Sequence, residues 1–186
     1  MNPLRPFYIQ RCFVLKLDRM NGMKRTDYCG ELTKEKVGSE TVVAGWVQRQ
    51  RDLGGLIFVD LRDRTGIIQL AFDDTTDPDI FEKASALRSE FVVMAKGKVR
   101  MRSSVNTEIP TGEIEIEVTE LKILGASETP PFEILTDSAA KEELRLKYRY
   151  LDLRRAPLQR NIMMRHKIAK VTRDYFDEDG FIEIET

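Results

Sequence analysis

The chain has 186 residues, with 30 Lys and Arg against 31 Asp and Glu, one His, two Cys, 41% hydrophobic and 33% charged side chains. That length allows one or two domains with a packed core, and the short apolar runs exclude a membrane-spanning helix. Cys12, Cys29 and the single His166 are too few for a structural zinc site or a disulfide framework, and a net charge of −1 confines any nucleic-acid site to a local cluster.

Residues 1–22 hold Arg5, Arg11, Lys16 and Arg19 against Asp18, and their apolar runs are too short for a secretory core. Ser is absent and Pro3 and Pro6 interrupt an early helix, so the segment reads as a disordered extension, with a transit peptide as the alternative. Met23 reads as the more natural start.

From Thr41 the hydrophobic period becomes two. Residues 41–51, 55–64 and 66–72 read as strands joined by hairpin signals at Asp52-Leu53-Gly54-Gly55 and Arg64-Thr65-Gly66. Asp77-Pro78 then opens a helix over 78–88, with Asp77 as N-cap and Ile80, Ala84 and Leu87 on its apolar face. Residues 91–102 and 112–124 are two further strands. The order β-β-β-α-β-β predicts a mainly β fold, a closed five-stranded Greek-key barrel of the OB type with one inter-strand helix.

Alternation also sorts the faces. In the fourth strand Phe91, Val93, Ala95, Gly97, Val99 and Met101 share one side, leaving Lys96, Lys98, Arg100 and Arg102 on the other. Glu113, Glu115 and Glu117 alternate in the fifth strand, so antiparallel pairing predicts a charge ladder, with Arg102 and Glu115 nearer one end and more open to outside contacts. The second strand turns Ile57, Val59 and Leu61 inward and leaves Phe58 on the polar side with Asp60 and Arg62. The third turns Ile68, Leu70 and Phe72 inward and Gln69 outward, toward Phe58 across the hairpin. With Arg49 and Arg51, this places an aromatic, an amide and guanidinium groups on the face where OB folds bind oligonucleotides. The plainer alternative for Phe58 is packing under a loop.

Pro130-Pro131 breaks the composition, and residues 136–155 read as a charged helical linker capped by Thr136 or Asp137. A second helix starts near Ala156-Pro157. Leu158, Ile162, Ala169 and Phe176 cluster on its wheel, flanked by Met164, Ile168, Val171 and Tyr175, with Lys167, Lys170 and Asp174 opposite. Gly180 ends the helix, and 181–185 reads as a strand. His166, with no nucleophile or acid motif around it, reads as structural.

The run Tyr28-Cys29-Gly30-Glu31-Leu32, then GWVQRQRDLGGLIFVDLRDRTGIIQ, TGEIEI, RLKYRYLDLRR and finally DGFIEIET resembles the bacterial-type aspartyl-tRNA synthetases, a class II family, over essentially all of 23–186. The resemblance divides the chain into an extension (1–22), an anticodon-binding OB domain (23–126), a hinge (127–155) and the start of a class II catalytic domain carrying its first signature motif (156–186). It implies that Phe58 stacks on the central anticodon uridine, that Gln69 meets the edge of that base, that Arg51 lies near the anticodon bases and backbone, and that Glu115 reads the first anticodon base. Arg102 and Asn106 match further anticodon-loop contacts. Leu53 and Val105 match positions linked to charging one tRNA or two; Leu53 resembles the discriminating enzymes, whereas Val105 departs from the lysine often seen with it.

The same resemblance implies a cytoplasmic ligase that activates aspartate with ATP and Mg²⁺, transfers it to tRNA, and dimerises through 156–186, where Ile162, Ile168, Val171, Tyr175 and Phe176 would meet a second copy. The second and third class II motifs are absent, so the chain reads as an N-terminal fragment with no catalytic residue, no cofactor or metal of its own, and no adenylate-forming activity. The alternatives are a stand-alone OB-fold nucleic-acid-binding or regulatory protein, or a lysyl- or asparaginyl-type synthetase fragment.

Overall fold

The alternation from Glu40 onward is realised as five strands in a computed structural model, which describes residues 22–185. They are β1 (Glu40–Asp52), β2 (Ile57–Arg62), β3 (Ile67–Phe72), β4 (Val92–Met101) and β5 (Ile114–Gly125). The sheet closes in the order β1-β2-β3-β5-β4. All neighbours are antiparallel except β3 and β5, which pair in parallel through Gln69 with Glu115, Leu70 with Ile116 and Ala71 with Glu117. β1 serves both β2 and β4 because it is 13 residues long and shifts register between Val47 and Arg49, which bends the strand.

The inward set follows the period-two pattern: Val43, Val59, Leu70, Phe72, Val93 and Ile116 have no exposed surface. At about 25 cal/mol per Å² of apolar area removed from water, such a closed interior is the main favourable term for this unit. A second shift in register, between Lys96 and Gly97, brings β5 so close that a Cβ on Gly97 would lie 2.1 Å from the Glu117 carbonyl oxygen. Only glycine fits there.

The segment before β1 plugs one end of the barrel. Cys29 and Leu32 are buried among the core residues. The turn after β2 holds them there: Asp63 Oδ2 accepts from the Cys29 amide at 2.7 Å, and the Gly30 amide donates to Thr65 Oγ1 at 2.9 Å. Burial, with Asp63 beside it, pushes the Cys29 thiol far above its ordinary pKa, so this cysteine is an inert packing group.

The inter-strand helix, α1 (Pro78–Ser85), begins as its caps predict, with Asp77 accepting from the Asp79 amide at 2.9 Å. It stops three residues earlier than the expected Arg88, because Gln50 Nε2 takes the Ala84 and Ser85 carbonyls at 3.1 and 3.2 Å. Ala84 and Leu87 are fully buried, and Ile80 packs against the same core.

A second compact unit begins at Pro130. Its elements are α2 (Glu142–Lys147), α3 (Arg149–Asp152) and α4 (Ala156–Glu178). The expected cap at Thr136 or Asp137 is not realised: α2 starts after Lys141, and Arg155 holds the chain upstream by donating to the Leu135 and Thr136 carbonyls. Asp152, 1% exposed, organises this unit by receiving Arg149 and Arg155 at 3.1 and 3.0 Å, with Arg145 at 3.8 Å. Gly180, with φ of 82°, ends α4 as expected. Residues 181–185 do not form the expected strand. The described residues of this unit include no strand, and an unpaired segment has no ladder to hold it extended. Instead the Phe181 ring meets Phe176 edge-on at 5.6 Å, and Glu183 pairs with Arg173 at 2.7 Å.

Among the described residues no helix is long and apolar enough to cross a membrane. The expected extension at 1–22 falls, apart from Gly22, outside the described residues.

Candidate nucleic-acid interface

The outer face of the barrel carries one continuous polar network. Arg51 on β1 faces Phe58 on β2, and its guanidinium lies 5.6 Å from the ring centroid. The same guanidinium donates through Nη2 to Asp60 Oδ1 and to Gln69 Oε1, each at 3.0 Å. Gln69 passes the chain onward, donating from Nε2 to Glu115 Oε2 at 2.7 Å. Arg100 Nε takes the other carboxylate oxygen of Glu115 at 2.8 Å, while its Nη1 reaches Asp73 at 3.1 Å and Glu117 at 3.3 Å. Side chains from all five strands, with Asp73 just beyond β3, thus form a single line of charge-assisted bonds, with the half-buried Phe58 beside it.

The topology explains the line. The parallel pairing of β3 with β5 puts Gln69 directly opposite Glu115, and the antiparallel pairing of β5 with β4 puts Glu115 opposite Arg100. The Thr75 hydroxyl, acting first, then the Thr75 amide and Arg100 hold the Asp73 carboxyl below its usual range against partial burial. Arg51 Nε is buried and makes no hydrogen bond, so one guanidinium donor is still to be satisfied.

Several expectations change here. Gln69 and Glu115 do point outward, yet they are only 2% and 6% exposed, because neighbouring charged groups close over them. Glu115, expected to be open to outside contacts, is committed to Arg100 and Gln69. The partner of Gln69 across the hairpin is Asp60, and Phe58 faces Ala71. The ladder is realised in part: Arg100 meets Glu115 and Glu117 as expected, but Lys96 pairs with Glu40 at 3.2 Å and Glu120 at 3.4 Å, and Glu113 pairs with Lys34 at 2.6 Å. The shift between Lys96 and Gly97 puts Glu120 opposite Lys96 in place of Thr119, and register shifts are invisible in an alternating pattern.

The remaining candidates lie in connections. Leu53, 67% exposed, sits in the turn between β1 and β2, where Gly54 and Gly55 take positive φ. Val105, 53% exposed, and the half-buried Arg102 and Asn106 belong to the loop between β4 and β5. Asn106 shapes that loop itself, since its Oδ1 accepts from the Glu108 amide at 2.9 Å and its own amide donates to the Gly112 carbonyl at 2.9 Å. Asp60, Asp73 and the central part played by Arg100 were not foreseen as members of the site. The spacing of Asp60 from Phe58 and of Arg100 from Arg102 on one face was the available signal.

On α4, Ile162, Ile168, Val171, Tyr175 and Phe176 are all exposed, and Tyr175 meets Phe176 edge-on at 5.6 Å. His166 is exposed as well.

Comparison with known proteins assigns both units. Residues 41–124 match the family model described as OB-fold nucleic acid binding domain, and residues 141–186 match that of tRNA synthetases class II (D, K and N). Together the two matches set the barrel and the helices that follow it within the class II aminoacyl-tRNA synthetases. Over 171 residues, 91% of this chain, it is 57% identical to the aspartate–tRNA(Asp/Asn) ligase of Thermoanaerobacter sp. (strain X514) and 52% identical to the aspartate–tRNA ligase of Ruminiclostridium cellulolyticum. In each case it spans 29% of the relative's length. Among solved structures, asparaginyl-tRNA synthetase from Pyrococcus horikoshii matches 88% of this chain and 36% of its own, with 28% identity and a TM-score of 0.71. The chain belongs to the aspartate–tRNA ligase family.

Proposed function

We propose that the barrel of this chain binds the anticodon loop of aspartate tRNA for an aspartate–tRNA ligase. The observation that carries the reading is the contiguity of Phe58, Arg51, Gln69 and Glu115 on one outer face. An aromatic beside guanidinium donors and an amide suits an unpaired base, which is read by stacking and by its edge. Phe58 provides the stacking surface for the central uridine. Arg51, half exposed and with Nε unsatisfied, is the member a base would displace: once it turns aside, the Gln69 amide beneath becomes accessible to the base edge. Glu115 lies beside it for the first anticodon base, while Arg102 and Asn106 border the loop. Leu53 and Val105 bear on whether one tRNA or two is charged, and Leu53 favours aspartate tRNA alone.

The whole enzyme would activate aspartate with ATP and Mg²⁺ in the cytoplasm and work as a homodimer. Supporting the dimer is the exposed apolar stripe of α4 running from Ile162 through Ile168, Val171 and Tyr175 to Phe176. No residue of this chain is assigned to ATP or Mg²⁺. The boundaries that accompany this reading are an anticodon domain at 23–126, a hinge at 127–155 and the start of the catalytic domain at 156–186.

The test is binding of the aspartate-tRNA anticodon stem-loop at fixed salt. Phe58→Ala is expected to weaken it by about 1–3 kcal/mol, and affinity should fall steeply with salt if phosphates are contacted. If Lys96→Ala weakens binding more than Phe58→Ala does, the barrel is an electrostatic groove and the reading is wrong.

A further inference from the structure

Uridine and cytidine differ at the edge an amide can reach by exchanging donor for acceptor. Uridine presents an N3–H donor beside the O4 acceptor, whereas cytidine presents an N3 acceptor beside an N4 amino donor. A glutamine amide satisfies the first in one orientation and the second when flipped by 180°, because its oxygen and nitrogen trade places. Gln69 therefore distinguishes the two bases only if something else forbids the flip.

Two neighbours hold the Gln69 amide: Arg51 on its oxygen at 3.0 Å and Glu115 on its nitrogen at 2.7 Å. Arg51 is a poor anchor. It is half exposed, it divides one nitrogen between Asp60 and Gln69, and it has to yield for a base to reach the amide. Glu115 is the better anchor, since its side chain is 7% exposed and a carboxylate accepts only, so it admits the amide nitrogen and rejects the oxygen. A carboxylate on a free rotor would still not define the direction. Its Oε1 is occupied by Arg100 Nε at 2.8 Å, which leaves Oε2 aimed at Gln69. Arg100 is itself braced by Asp73 at 3.1 Å and Glu117 at 3.3 Å.

Resting on the anticodon-binding reading above, we infer that Arg100, two strands away from Gln69 in the barrel order, is a positioning residue for base identity: by clamping Glu115 it locks the Gln69 amide in the orientation that accepts uridine and refuses cytidine. Arg100 contributes to which pyrimidine is bound, while Phe58 contributes to how tightly any base is held.

The experiment measures binding of the full chain to anticodon stem-loops carrying uridine or cytidine at the central position, at fixed salt, for the wild type and for Arg100→Met, Arg100→Lys, Glu115→Gln, Gln69→Ala and Phe58→Ala, with circular dichroism as the control for folding. The expected result is a uridine-to-cytidine affinity ratio reduced roughly tenfold by Arg100→Met and by Glu115→Gln, the latter a near-isosteric change that removes the accept-only rule without removing the packing. Arg100→Lys should restore most of the ratio by supplying a cation to Glu115, and Phe58→Ala should lower both affinities with the ratio kept. Should Arg100→Met fail to fold, Glu115→Gln carries the same test. A ratio unchanged in Glu115→Gln and Arg100→Met while Gln69→Ala abolishes it overturns the inference and leaves the anticodon reading standing. An equal loss for both loops in Arg100→Met marks a merely structural role and also overturns it. A wild type that does not distinguish the loops, together with Phe58→Ala and Gln69→Ala binding like wild type, overturns the anticodon reading itself.

Discussion

The barrel and the helix α4 treat their large apolar side chains in opposite ways. In the barrel, Ile57, Leu70, Phe72 and Ile116 have no exposed surface, and the outward polar groups are tied to one another across strands. On α4, Ile168, Val171 and Tyr175 are each about 60% exposed or more, and none of the helix's residues is buried. A closed sheet covers its own hydrophobic face, whereas a single amphipathic helix has to be given a second surface. The barrel's stability is internal to its sequence, while the apolar stripe of α4 contributes stability only in company.

The sharpest way to break that contrast is at Gly97. A Cβ there meets the Glu117 carbonyl oxygen at 2.1 Å, backbone against backbone, so Gly97→Ala should prevent the barrel from closing. A lost β-sheet signal in circular dichroism and loss of the unfolding transition would register this. A variant that unfolds like wild type would mean β4 and β5 are not that closely packed.

One substitution on each surface separates the covered face from the open one. Ile116→Ala in the barrel should cost about 2–5 kcal/mol in chemical denaturation. Ile168→Ala on α4 should cost within about 0.5 kcal/mol, because no buried volume is lost, and should instead reduce light scattering from self-association. Similar costs at the two positions would show that the α4 face is covered.

The plug at the barrel end gives a smaller effect that depends on pH. Burial raises the Asp63 pKa, but the Thr65 hydroxyl and the amides of Cys29, Thr65 and Gly66 outweigh it and hold the carboxyl below its ordinary value. Since the native pKa is depressed, the stability it contributes is fully present above the ordinary aspartate pKa and is lost as pH falls through the lowered native one. Asp63→Ala, leaving the Cys29 amide unsatisfied, should cost about 1–3 kcal/mol at neutral pH. Its penalty should shrink in acid, which a denaturation series from pH 7 to pH 2 would reveal; a constant penalty would exclude the carboxylate as the latch.

The least effect is expected at Lys96. Its ion pairs with Glu40 and Glu120 lie at the surface and are screened by solvent. Lys96→Ala should change thermal stability less than any variant above, and anticodon stem-loop binding hardly at all.

How far the sequence could be read depended on whether the information was local. Alternation marked the inward residues of β2 and β3 and of the stretches of β1, β4 and β5 between register shifts, since a period of two leaves little freedom once one face must be dry. But Met101, expected on the inner face of β4, is 49% exposed, and the buried Val118 and Leu121 are three apart. Asp77-Pro78 marked the start of α1 and Gly180 the end of α4, because capping needs only neighbours in the chain. The end of α1 departs from the local pattern, since Gln50, a residue far upstream, takes its last carbonyls. The expected strand at 181–185 failed for a related reason: alternation makes a segment fit for a sheet, and pairing requires a neighbour.

The candidate site divides along the same line. Phe58, Arg51, Gln69 and Glu115 were determined by sequence alone as outward-facing residues of a barrel, and motifs such as RLKYRYLDLRR were enough to place the family. Only the tertiary structure decided that Gln69 and Glu115 are outward yet buried, and that they touch. They are 46 positions apart and meet through the parallel β3 and β5 pairing that closes the barrel. The part played by Arg100 follows from that closure and from the antiparallel register of β4 and β5, which sets it opposite Glu115. Face and period are properties of a segment by itself, whereas burial of a polar group and its hydrogen-bond partner are properties of whichever distant strand the closed barrel brings beside it.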